Sequence, residues 1–162
     1  PISKWSNFDD AVFIDCLGSP NSFKNREAII KNNGMASATF ETLVHPSAFI
    51  SESVNLGQGS IIFPNVVMLS GVTVGNHVTI LPGAILNHDA DVGDWSILAS
   101  GVIVSGEVKV GKTCYLGAGS LIRERISIGQ ESLVGMGAVV VKNVLSNSVV
   151  VGIPATDLYK KN

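Results

Sequence analysis

His88 is the side chain in this sequence best placed to move a proton. Imidazole is the usual general base near neutral pH, and His88 stands between Asn87 and Asp89, two places after the aliphatic Leu86. One reaction that needs such a base is acyl transfer from a thioester to an amine or hydroxyl. The acceptor must lose a proton while the carbonyl oxygen gathers charge that a donor group must hold. Asn87 could give that hydrogen bond, either to the acceptor or to the oxyanion, or it could simply complete a strand corner. A His on a solvated face is the plain alternative for position 88. The two cysteines, Cys16 and Cys114, are too few for a disulfide framework. Cys114 reads as a buried thiol serving as a small hydrophobe, and Cys16, inside the apolar run 11–17, reads as core.

The element that must carry His88 is repetitive. Steps of six from Ile50 land on Leu56, Ile62, Met68, Val74, Ile80, Leu86, Val92, Leu98 and so on to Val140, every one aliphatic. Four places after each comes a small or β-branched residue, from Val54 and Ser60 to Ala138 and Val144. Each hexad therefore turns one large and one small side chain inward, and His88 falls in an outward slot. A second rhythm recurs every 18 residues, in Gly57, Gly75, Gly93, Gly111 and Gly129. Three hexads make one coil of a parallel β solenoid.

Composition agrees with that reading and excludes others. Of 162 residues 46% are hydrophobic and 15% charged, with net charge −2. A repetitive β core suits these values and disorder does not. Scattered Lys and Arg leave no basic face for nucleic acid. No apolar run is long enough to span a membrane, and the first ten residues lack a signal pattern, so the expectation is a cytoplasmic protein.

Three segments are expected: a partial α/β unit over 1–45, the coil over 46–146, and a C-terminal cap over 147–162. In the first, Ala11–Ile14 reads as a short buried strand, 20–33 as a helix closed by Gly34, and Phe40–Val44 as a second strand. Outward apolar residues of the coil (Phe63, Val67, Leu69, Leu81 and Trp95) predict self-association, or else burial beneath the flanking segments.

The hexad rhythm, together with Leu86–Asp94, Ala99–Gly106, Cys114–Ser120, Gly152–Ala155 and His45–Ala48, resembles the hexapeptide-repeat sugar acyltransferases of the sialic acid O-acetyltransferase and UDP-amino-sugar N-acetyltransferase type. The resemblance implies a mainly β fold, a left-handed parallel β-helix of 18-residue coils. The left hand rests on the resemblance alone, since parallel crossovers ordinarily take the right hand. It implies an acetyl-CoA-dependent acetyltransferase acting on the amino or hydroxyl group of a sugar or nucleotide-sugar, assembled as a homotrimer with sites in the clefts between coils. By position it makes His88 the general base and Asp89 the group that tunes the imidazole, and it places donor contacts at Ile97, Gly106, Ala118 and Met136. A family member has His where this chain has Ile97. Family members begin with a full nucleotide-binding-like domain whose glycine-rich first turn has no counterpart here.

Small residues at Gly101, Gly106, Gly117, Ala118, Gly119, Gly135 and Gly137 would let an extended pantetheine arm approach the backbone, or would simply serve the corners. Lys112, Arg123, Arg125 and Lys142 could attract its phosphates. Two other readings remain: a noncatalytic scaffold or binding module, and a metal enzyme of the carbonic anhydrase type. The unequal slots of His45, His77 and His88 give no spacing for zinc, so no metal is expected.

Overall fold

A hexad with one aliphatic and one small inward residue can hold only a very short straight run before the chain must turn. In the computed structural model, which describes residues 2–7 and 10–159, seventeen two-residue parallel strands follow one another from Leu43–Val44 to Val139–Val140. They stack into the three faces of a prism with an 18-residue register, as in Ile97↔Thr79 and Ile97↔Tyr115. The architecture is a parallel β solenoid of about six turns that fits a left-handed coil.

Inside, the aliphatic ladder from Ile62 to Val140 is buried throughout, as are the small residues between its rungs. Burying each large rung stabilises the coil by about 1.5–3 kcal/mol. Two of the small inward polar groups, Ser60 and Ser96, are tied to backbone, donating to Gly75 O and Gly111 O, each at 3.0 Å. Each corner from Gly59 to Gly137 also takes one residue with positive φ, three places after the inward aliphatic. Asn65, His77, Asp89, Glu107 and Arg125 take that position as readily as Gly71 or Gly83 does.

The faces differ outside. The first face, which carries Thr79, Ile97 and Tyr115, is covered by the N-terminal segment. The second presents the unbroken apolar column Phe49, Val67, Ile85, Ile103, Leu121 and Val139. The third presents Asn55, Thr73, Asp91, Lys109 and Ser127, and is polar.

The N-terminal segment departs from the strand–helix–strand expectation. Phe13 makes a single parallel bridge to Phe40, while Val12 and Ile14 are exposed. Leu43–Val44 belongs to the first face of the coil. The helix is short, Arg26–Asn32, with Gly34 in the left-handed conformation just beyond it. Cys16 is exposed, contrary to the core reading, because its neighbour Asp15 takes the inward direction. Asp15 meets Arg26 at 3.0 Å, and both side chains are essentially buried. Arg26 also donates to Trp95 O and Thr79 Oγ1, which fastens the segment to the coil. Trp95, expected as outward surface, is consequently covered, and its ring stacks on His77 at 3.9 Å. Phe63, Val67, Leu69 and Leu81 are half-buried. At the far end the strand Val149–Gly152 joins the first face and pairs antiparallel with Ala155–Asp157.

Candidate active site

Residues 87–90 turn the corner between the second and third faces. Leu86 is locked inside and Asp89 takes the positive φ of 57° that the turn requires, so His88 stands outward and exposed. Its Nδ1 lies 3.0 Å from Asp89 Oδ2. A carboxylate can only accept, so Nδ1 carries the proton and the lone pair is left on Nε2. The other edge of the ring rests on the next coil. A Cβ built on Gly106, which follows His88 by 18 residues, would overlap Nε2 and lie 2.6 Å from Cε1. Glycine at 106 gives the imidazole its place, and Gly106 itself is buried. The side chain of Asn87 donates to Val104 O at 3.0 Å.

A cleft of about 510 Å³ opens beside the pair, lined by Asp89, Glu107, Lys109, Arg125 and Ser127. Arg125 is held by Glu107 at 3.0 Å. Lys112 pairs with Asp94 on another corner, while Arg123 and Lys142 are exposed.

The four positions implied as donor contacts do not gather around His88 within one chain. Ala118 and the widely exposed Met136 share the corner between the first and second faces. Ile97 is buried on the first face, where its Cδ1 packs under Gly18. Only Gly106 touches the His88 ring. On the corner of Ala118 and Met136, Gly83, Gly101, Gly119 and Gly137 form a column in which an added Cβ would meet nothing within 4 Å. Packing does not demand glycine there.

The three histidines occupy three different corners. His45 bonds Ser47, and His77 lies against Phe40 and Trp95. Among the described residues no group of three or more His, Cys, Asp or Glu could hold a metal ion. Cys114 is buried, and burial pushes its thiol up to about 11, so it is no nucleophile at neutral pH.

Residues 71–106 match the bacterial transferase hexapeptide (six repeats) family. The chain is similar to the acetyltransferase domain of PglB from Neisseria gonorrhoeae, with a TM-score of 0.80 and 27% identity, over 85% of this chain and 67% of that one. The chain carries bacterial transferase hexapeptide repeats. A structure of that PglB domain holds acetyl coenzyme A. The fold of this hexapeptide-repeat protein is shared at 24% identity with a His-to-Asn variant of perosamine N-acetyltransferase from Caulobacter crescentus, determined with CoA and GDP-perosamine, with a TM-score of 0.89 over 99% of this chain and 74% of that one. WeeI from Acinetobacter baumannii has a TM-score of 0.83 and 24% identity, over 93% and 72%. No curated protein matches the sequence.

Reasoning from sequence missed Asp15 and Arg26 as partners; of the glycines that frame the His88–Asp89 pair from the coils on either side, it passed over Gly71 and named Gly106 only as a donor contact. For the glycines the signal was present, because they lie 18 residues from the side chains they accommodate.

Proposed function

We propose that this chain is an acetyl-CoA-dependent acetyltransferase acting on an amino or hydroxyl group of a sugar or nucleotide-sugar, with His88 as general base. The observation that carries the reading is the outward, exposed imidazole with Nδ1 engaged by Asp89. His88 Nε2 takes the acceptor's proton as the acceptor nitrogen or oxygen bonds to the acetyl carbon, then returns it to the departing CoA sulfur. Asp89 keeps the productive tautomer and stabilises the imidazolium. No metal takes part in this reading.

The apolar second face is bordered by the His88 corner on one side and the open glycine corner on the other. Three copies packed through these faces would set His88 of one protomer beside Gly101, Gly119, Gly137, Ala118 and Met136 of the next. That cleft suits an extended pantetheine arm, whose amides can pair with backbone where no side chain intervenes. A homotrimer with intersubunit sites follows, and the reading places the enzyme in the cytoplasm, where the donor is available.

The test is incubation with acetyl-CoA and a panel of amino sugars, nucleotide-linked amino sugars and sialic acid, with acetylated product followed by mass spectrometry. An acetylated sugar formed only in the presence of active protein supports the reading. No product from any member, with CoA binding also absent, favours the scaffold alternative.

A further inference from the structure

The reaction's base is held on both sides, and one of its supports is a residue that touches neither substrate nor imidazole. Gly71 precedes Asp89 by one coil and has φ 73°. A Cβ on Gly71 would overlap Asp89 Oδ1 and lie 3.2 Å from its Cγ. Backbone conformation does not explain the glycine. The corresponding corner positions one, two and three coils later hold Asp89, Glu107 and Arg125 at φ 57–59°. Gly83 has nearly the same φ, 72°, with nothing within 4 Å of its missing side chain. The space at Gly71 is therefore occupied by the Asp89 carboxylate, whose other oxygen faces His88 Nδ1. The backbone reinforces the placement: Asp89 N donates to Ser70 O at 2.9 Å, and Gly71 N donates to Ser53 Oγ at 3.1 Å.

From this we infer that Gly71 is a positioning residue for catalysis, acting through Asp89 on the imidazole. The inference rests on His88 being the base. Any side chain at 71 swings the carboxylate away from Nδ1, frees the ring to rotate and lets the wrong tautomer form.

The experiment compares kcat/KM against pH for wild type, Gly71→Ala, Asp89→Ala, the double variant and Gly34→Ala, which carries a similar positive φ just beyond the N-terminal helix. Gly71→Ala is expected to lose roughly 10-fold or more, with a pH profile that coincides with that of Asp89→Ala. The double variant should be no worse than Asp89→Ala alone, and Gly34→Ala should keep wild-type activity. Gly71→Asn, which suits a left-handed backbone, should show the same loss with less effect on melting. Wild-type activity and profile in both position-71 variants, or losses that multiply in the double variant, would overturn the inference. His88→Ala retaining full activity would instead sink the reading on which it rests.

Discussion

The imidazole of His88 lies against the backbone of Gly106, one coil further along, with no room between them for a methyl group. Gly106 lacks the positive φ seen at Gly83 or Gly101, so its backbone does not itself require glycine. Gly106→Ala is expected to displace the ring and lower kcat by about 10-fold or more. Its melting temperature should stay near that of wild type. Paired steady-state kinetics and thermal melts check both halves.

The buried Arg26–Asp15 pair fastens the N-terminal segment to the coil. Removing one partner leaves an uncompensated buried charge, so Arg26→Ala is expected to cost about 3–5 kcal/mol. Replacing both with apolar residues, Arg26→Met with Asp15→Leu, should cost less than either single loss. Urea unfolding of the three variants measures this.

The two thiols should behave oppositely. Cys16 is exposed and should react promptly with a thiol reagent at pH 8, whereas Cys114 should react only on unfolding. Burial, the largest cause, raises the folded thiol of Cys114 from 9.0 to about 11. Between these values the unfolded chain gives up a proton that the folded one keeps, so stability falls as pH rises from 9 towards 11. The loss is on the order of 2–3 kcal/mol. Cys114→Ser should flatten that limb of the stability curve.

His77 titrates with the opposite sense. Burial depresses its pKa below the usual 6.5 despite the nearby Asp15. As pH falls below 6.5 the unfolded chain binds a proton that the folded one resists, so stability declines with acidification. In His77→Leu that part of the acid slope should be smaller, measured by denaturant unfolding at pH 5 and 7.

The coil was legible because its periodicity is local and strict. Inward direction at Leu86, Cys114 or Ser96 follows from counting sixes, and the outward placement of His88 follows from the same count. In the N-terminal segment the helix and its Gly34 stop were legible, but the stretch before them was not, because its apolar run suggested a strand while its burial is decided by a charge. Asp15 turns inward only since Arg26, eleven residues away, is there to meet it, and that pairing leaves no period in the sequence. For Trp95 the outward slot was legible but the choice between self-association and burial was not, as its cover is supplied by a segment distant in the chain. The Gly71 and Gly106 supports could have been found by adding and subtracting 18 from the His88–Asp89 pair.

The central claim is that one imidazole carries the proton. Its most direct measurement is kcat/KM for acetyl transfer from acetyl-CoA by wild type and His88→Ala, at matched melting temperature. The expected loss is roughly 10²–10⁴-fold, with stability unchanged because the ring is exposed. A variant that transfers acetyl groups at the wild-type rate would contradict the account.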